Sequence, residues 1–463
     1  MTGSDFLGLD PTAAPPRSRT AWLAQQLRSA IADGTLPPGT RLPASRAMAN
    51  DLAFARGTVV EAYRRLAEEG LVVTNHGGGT EVAELASASG RRPTPGPNRV
   101  APRPTLDISE GAPDLKAFPR AAWLRTERNV LARVASRQLG YGDPQGAPEL
   151  RSALAGWLTR SRGVVAEPEQ IIVTAGVTGA LSLLAQVLRE QGITECAVED
   201  PGAEGNRRIL DFWLDKLHPV PVDDQGLDAT ALARTKTRAV LVTPAHQFPT
   251  GVVLSPARRR ALVAWADGLD AFVIEDDYDA EYRYDRVSVR ALQAAAPERV
   301  VHVSSLSKVL APGLRIGWMI APAVLHHELI RRRWATDLGS PVVPQLVLAE
   351  LIQTGALERQ LRSLRLKHRQ RRDAAVAAIE RYLPGCRMTG IAAGLHLLVQ
   401  LPDGVDDATL AARAKAAGIA VQPLSALRHR PGAPGLVVGY GPHPSPRLEQ
   451  ALRTIGALAG FIP

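Results

Sequence analysis

The chain has 463 residues, about three times the ~150 at which single domains are commonest, so two or three domains are expected. Apolar residues make up 45% and charged residues 22%, a globular balance that excludes a mostly disordered, collagenous or coiled-coil chain. With 55 basic against 46 acidic residues the net charge is +9, which suits an anionic partner such as nucleic acid without demonstrating one.

The longest apolar runs, such as Ala239–Val242 and Ala271–Ile274, stop far short of the ~18–20 residues of a membrane span. Met1-Thr2-Gly3-Ser4-Asp5 carries an acid where a signal peptide carries bases, and no apolar run follows it. Cys196 and Cys386 cannot build a disulfide framework and imply no thiolate metal site. These features lead us to expect a cytoplasmic protein that does not cross a bilayer. Lysine is scarce: there are six, so 49 of the 55 basic residues are arginine, and a lysine in a chemical context stands out.

In chain order, Trp22, Leu23, Leu27, Ala30 and Ile31 recur at helical spacing and stop at Asp33-Gly34. Pro37-Pro38-Gly39 forces a turn, and Pro43-Ala44-Ser45 caps a short helix through Leu52. A third helix is expected from Arg56-Gly57-Thr58 to Glu69, burying Val59, Val60, Tyr63 and Leu66, with Gly70 as its stop. Leu71–Thr74 and Thr80–Val82, around a glycine-rich tip, read as a β-hairpin. Three helices and a hairpin describe a winged helix-turn-helix over residues 1–82. Residues 83–105, rich in proline and without apolar periodicity, read as a linker.

From residue 106 to 463 short β-rich runs alternate with helical patterns. Ile171–Thr174, Ala197–Glu199, Ala239–Thr243, Phe272–Ile274, Val300–Ser304 and Gly317–Ile320 are the expected strands of a mostly parallel α/β sheet. From about Val347 onward, Arg-rich helices and a few strands, such as His396–Val399 and Leu436–Val438, suggest a smaller α+β subdomain.

A helix-turn-helix lays its second helix in the major groove, with polar side chains at the helix start reaching base edges and nearby bases holding phosphates. Arg56 and Thr58 occupy that start, while Arg41, Ser45 and Arg46 are placed to hold the backbone of double-stranded DNA. Between Arg17 and Arg65 eight arginines face three acids, although such arginines also suit an ordinary solvated face.

In the larger region Val303-Ser304-Ser305-Leu306-Ser307-Lys308 ends a strand in small hydroxyl residues and a lysine. A lysine that forms a Schiff base with pyridoxal 5′-phosphate needs such a rigid position, and the hydroxyls of Ser305 and Ser307 suit its phosphate. Alone, Ser-x-Ser-Lys reads more readily as a surface lysine. Four further signals accompany it. Gly176, Val177 and Thr178 open a helix whose N–H groups suit a phosphate, and Arg315 supplies a cation for it. Asp276 suits the pyridine nitrogen, and Tyr278 and Gln247 suit the ring O3′. Asp276 and Asp277 also fit a solvated loop or a divalent-metal site, but they lack a spaced histidine, and no metal is expected there.

Two families now come into view. Leu36–Arg46, Arg56–Tyr63, Leu66, Glu69-Gly70 and Gly79-Thr80 resemble the DNA-binding head of GntR-type bacterial regulators. Residues 106–463 are similar to a fold-type I aminotransferase domain. Together, through Tyr141–Gly146, Glu199–Gly202, His246–Gly251 and Glu275–Asp279, the chain resembles the MocR subfamily. The resemblance implies a pyridoxal phosphate-dependent transferase-like fold and a head-to-tail homodimer in which Tyr141 reaches the cofactor phosphate of the partner subunit. It also implies a transcription regulator responding to the cofactor, to an amino acid or to an amine. An active aminotransferase is the alternative.

The chain departs from the pattern in several places. Ala55 replaces a usual serine, and Asn75-His76 replace a basic wing residue. Ala203 replaces the aromatic expected against the cofactor ring. Gly435–Tyr440 reads as apolar where aminotransferases place an arginine for the substrate carboxylate, with only Arg428 and Arg430 nearby.

Overall fold

The computed structural model describes residues 9–16, 18–75, 79–83, 104–109, 111–284 and 289–462. His76, the glycines at 77 and 78, and all of the expected linker but residues 83, 104 and 105 lie outside these. The chain divides into two compact units, Met1–Arg103 and Pro104–Pro463.

In the first unit α1 (Arg19–Ala32) turns Leu23, Ala24, Leu27, Ala30 and Ile31 inward and ends ahead of Gly34, which takes φ +83°, a conformation glycine adopts without strain. Next come α2 (Ser45–Asp51), α3 (Arg56–Glu68) and the antiparallel pair β1 (Val72–Asn75) and β2 (Gly79–Val82), with Val72 opposite Val82. The lead-in to α2 joins this wing: Gly39 N–H donates to the Val82 carbonyl and Leu42 N–H to the Thr80 carbonyl, both at 2.8 Å. The Tyr63 hydroxyl donates to the Pro43 carbonyl at 2.9 Å and ties α3 to the same segment.

Two expectations change here. Val60 is 46% exposed, and Ala62 takes the inward place on α3. The reason is rotational: with Val59, Tyr63 and Leu66 inward, a residue one step past Val59 is carried about 100° away from the core. Ser45 is not a cap, because the extended residue before the helix is Ala44 and Ser45 is already helical. Its hydroxyl therefore makes no cap bond.

The second unit is built on an eight-stranded sheet. Its strands lie in the order Ile171–Thr174, Gly317–Ile320, Val300–Ser305, Phe272–Asp276, Ala239–Val242, Glu195–Asp200, Lys216–Asp223 and Gly226–Leu227. The middle strands run parallel, whereas Gly317–Ile320 is antiparallel to both neighbours. Both faces are covered, so the strands are apolar on alternate residues in both directions. Val173 and Trp318 pack among the helices Pro148–Arg162 and Val342–Gln353, while Ile172 and Met319 pack against the helix Gly176–Glu190. Lys216–Asp223 was not among the expected strands; although Pro219 and Pro221 interrupt it, it pairs in parallel with Glu195–Asp200.

A four-stranded antiparallel sheet of Arg387–Thr389, His396–Gln400, Gly435–Gly439 and Gln422–Pro423 forms the smaller layer, with Ala356–Tyr382 and Ser445–Ala459 among its helices. No helix among the described residues is long and apolar enough to cross a membrane.

Candidate functional site

The parallel strands Phe272–Asp276 and Val300–Ser305 end beside the N-terminus of the helix Gly176–Glu190, around a cavity of about 330 Å³. Ligands in α/β sheets bind outside such strand ends, because loops and helix N-termini converge there. The helix opens at Gly176 itself, and its φ of +77° suits glycine. The approach is close as well: a Cβ on neighbouring Gly317 would lie 2.7 Å from the Gly176 Cα. Arg315 donates to the Ala175 carbonyl, so its guanidinium is held at the helix start. Val177 and Thr178 in the first turn, with Ser305, Ser307 and Lys308 from the end of Val300–Ser305, line the same wall. The Lys308 backbone is anchored in turn, its carbonyl accepting from the Tyr282 hydroxyl at 3.0 Å.

Asp276 closes the cavity from the end of its strand. Its Oδ2 accepts from the Asn206 amide at 2.7 Å, whereas Oδ1 is buried without a hydrogen-bond partner among the described residues. Burial raises this carboxyl to about 7, opposed by the Asn206 donor and reinforced by Asp277 and Asp279, while Lys308 lowers it. A buried, unpaired carboxylate oxygen is costly, so this atom calls for a donor from a ligand. Behind it Asp277 accepts two hydrogen bonds from Arg162, at 2.7 and 2.8 Å, and the Ser304 hydroxyl donates to its carbonyl at 2.7 Å. These bonds hold the strand end that carries Asp276 and Tyr278.

Tyr278 lines the cavity with its hydroxyl 3.1 Å from His246 Nδ1, and that nitrogen also lies 3.0 Å from Asp279. Burial, then the charges of Asp279 and Asp276, push the Tyr278 hydroxyl well above its usual range, so it is a neutral donor and acceptor.

Of the residues singled out from the sequence, Val177, Thr178, Asp276, Tyr278, Ser305, Ser307, Lys308 and Arg315 come together in this wall, with Gly176 adjoining. Gln247 does not. Its amide is used within the chain, donating to Glu199 and the Pro201 carbonyl at 3.1 and 3.0 Å and accepting from the Thr250 hydroxyl at 2.7 Å. Its neighbour Phe248 faces the cavity instead. Tyr141 also stands apart from the lining and is 88% exposed. Asn206, Thr243 and His396 line the cavity and were not anticipated. Asn206 was the most readable of these, since it lies in the first turn of a helix that starts directly after Ala203.

On the first unit Arg46 lies in the first turn of α2, Arg56 and Thr58 in the first turn of α3, and Arg41 beside the wing, bridged in register to Glu81. Arg28 is paired with Glu69, and Arg64 and Arg65 with Glu61. Arg41, Arg46 and Arg56 are exposed and form no ion pair among the described residues.

Comparison with known proteins agrees with both units. Residues 20–82 match the bacterial regulatory proteins of the gntR family, and residues 103–439 match the aminotransferases of class I and II. The HTH-type pyridoxine biosynthesis transcriptional regulator PdxR of Corynebacterium glutamicum is 36% identical over 460 residues, covering 96% of each chain. The probable rhizopine catabolism regulatory protein MocR of Rhizobium meliloti is 33% identical over 457 residues, covering 94% of this chain and 92% of the relative. Among solved structures, Pyrococcus horikoshii kynurenine aminotransferase has a TM-score of 0.71 at 26% identity, covering 77% of this chain and 91% of that one. The cofactor of this fold is pyridoxal 5′-phosphate, and the orphaned Asp276 Oδ1, the glycine-opened helix start and the tethered Arg315 fit it. The chain belongs to the MocR-type helix-turn-helix transcription regulators, in which a GntR-type DNA-binding head is joined to an aminotransferase-like, pyridoxal phosphate-binding domain.

Proposed function

We propose that the second unit holds pyridoxal 5′-phosphate on Lys308 and that the chain acts as a cytoplasmic sensor, its DNA binding set by the cofactor and an amino compound. The observation that carries this reading is the buried Asp276 Oδ1, unpaired and on the same cavity wall as Lys308, in a chain that also has a DNA-binding head. Bound there, the cofactor supplies an aldehyde for amines and an electron-withdrawing ring. Asp276 accepts from the ring nitrogen and Tyr278 meets the ring oxygen. Gly176, Val177 and Thr178 offer backbone N–H groups to the phosphate, with Ser305, Ser307 and Arg315 completing its ligands. Gln247 is withdrawn from this set.

The head docks α3 in the major groove, Arg56 and Thr58 toward base edges and Arg41, Ser45 and Arg46 toward phosphates. A homodimer accounts for Tyr141, an exposed aromatic on this chain that serves the partner subunit's site. Domain boundaries at 82/83 and 105/106 belong to the same reading. Ligand binding changes DNA affinity only by favouring one dimer conformation over another.

The sensor reading is preferred over an active aminotransferase because the strand Gly435–Gly439 is wholly buried, with Val437 packed against Leu398, Leu424 and Leu427. Among the described lining residues the only Lys or Arg are Lys308 and Arg315, both assigned here to the cofactor, which leaves a substrate carboxylate no further cation to orient it, and orientation is a large part of such a rate. Absorption spectra with and without borohydride test the cofactor site. Lys308→Ala should abolish the fixed adduct, and an adduct mapped to Lys216 or Lys367 would refute it. DNA affinity measured cofactor-free, loaded, and loaded with amino acids tests sensing. Sustained turnover of an amino acid and keto acid pair, with DNA affinity indifferent to all three states, would establish the enzyme.

A further inference from the structure

A second cavity, of about 370 Å³, lies between the end of the helix Pro148–Arg162 and the first three turns of the helix Ala356–Tyr382. It shares no lining residue with the cavity at the strand ends. Its size suits a small molecule.

The walls carry charge of both signs. Arg162 lines them but is committed to the fold, giving Asp277 hydrogen bonds at 2.7 and 2.8 Å and donating to the Val289 carbonyl. Arg160 faces Glu358 at 4.0 Å, near enough to offset its charge but too far for a hydrogen bond. The other Glu358 oxygen, Oε2, is buried without a hydrogen-bond partner among the described residues. Arg365 commits only its Nε, which donates to the backbone carbonyl of Glu281. Arg362 is exposed and forms no ion pair or hydrogen bond among the described residues.

Glu281 is the unusual member of the lining. It is 4% exposed, and no other residue among those described donates a hydrogen bond to its carboxylate. Burial, then the charge of Asp277, raises this carboxyl above its usual range. An acid buried on a cavity wall with no donor from the fold is costly unless a ligand supplies one.

With Arg160 set against Glu358, the unmatched charges are the guanidinium groups of Arg362 and Arg365 and the carboxyl of Glu281. An inorganic anion would meet the arginines but also the acid, and a simple amine would meet the acid but also two like charges. The complement is one ammonium and two carboxylates. Arginine suits the carboxylates, because its planar fork offers parallel N–H donors.

We infer that this cavity binds an acidic amino acid, its ammonium at Glu281 and its two carboxylates at Arg362 and Arg365, at a site separate from the one proposed for the cofactor. The inference does not depend on Lys308 carrying pyridoxal phosphate.

The test uses the full chain without cofactor, so that no aldehyde competes for the amine, and reads the heat of binding on titration. Glutamate and aspartate are the probes, with glutamine lacking the second carboxylate and glutarate lacking the ammonium. The tighter of the two acidic amino acids should bind at least about tenfold more tightly than glutamine or glutarate, the worth of one charged hydrogen bond. Arg362→Ala and Glu281→Gln should each weaken it by about tenfold, and the exposed Arg362 serves if the Glu281 variant does not fold. Failure of both acidic amino acids to saturate below about 10 mM overturns the inference. So does equal binding of glutamine or glutarate, and binding that survives both substitutions places the ligand elsewhere. None of these outcomes touches the borohydride test of Lys308, so the two readings fail separately.

Discussion

Arginine does opposite work in the two units. On the head, Arg41, Arg46 and Arg56 stand exposed and unpaired among the described residues, cations kept in water until a phosphate replaces it. In the larger unit Arg162 is 1% exposed and gives Asp277 two hydrogen bonds, and buried Arg371 donates to buried Asp114 at 2.9 Å. The same side chain is a surface for a partner in one place and a structural brace in the other. The difference follows from desolvation: a buried charge must be matched inside the fold, whereas an exposed one is solvated already. Composition, which counts the two kinds together, cannot separate them.

Breaking the brace should have the largest effect on stability. Arg162→Met leaves Asp277 buried without its partner and should destabilise the larger unit by about 3–5 kcal/mol, read in denaturant unfolding, with weaker cofactor retention because Asp276 and Tyr278 lean on that strand end. A change under about 1 kcal/mol would show that water or another cation replaces Arg162. The exposed set should behave in reverse. Arg46→Ala and Arg56→Ala should leave unfolding unmoved but weaken DNA binding, and removing a cation that neutralises one phosphate should flatten the slope of log affinity against log salt by about 0.9. A slope identical to that of the parent chain would remove the residue from the interface.

The pH dependence sharpens the contrast through an acid rather than a base. Burial raises Asp276 from 3.8 to about 7, so the folded, cofactor-free chain holds that proton more tightly than the unfolded chain does. Its contribution to stability is therefore present in full below the ordinary value and lost as pH rises toward 7. A donor on the cofactor ring gives the ionised carboxylate a partner, so the gap in Tm between loaded and cofactor-free protein should widen from about pH 6 to about pH 8. Asp276→Asn should keep the gap flat, and an unchanged widening would assign the effect to other groups. The smallest effect is expected from Glu61→Gln on α3, which removes the exposed pairs to Arg64 and Arg65 at 2.7 and 3.1 Å, freeing Arg65 while Arg64 keeps its pair with Glu68. Thermal stability should not move, since surface pairs contribute little. Non-specific DNA binding at low salt should strengthen slightly, and a loss of binding would place Glu61 itself in the interface.

Local periodicity by itself located many of the regular elements, although not the proline-interrupted strand Lys216–Asp223. The strands Ile171–Thr174 and Gly317–Ile320 fall where their apolar runs place them, because a strand buried on both faces has little freedom to be read otherwise. The elements of the head were equally legible, and so was the placing of Asp276, Tyr278 and Lys308 at or just beyond the ends of strands that meet at one cavity. What the chain could not announce was direction and convergence. Gln247 and Phe248 are neighbours, and only packing decided that the amide turns inward to Glu199 while the ring faces the cavity. Asn206 meets Asp276, and His396 joins the same cavity lining, from segments far away in sequence. Such meetings are set by how helices and sheets stack on one another, a long-range property that residue spacing within any one element does not encode.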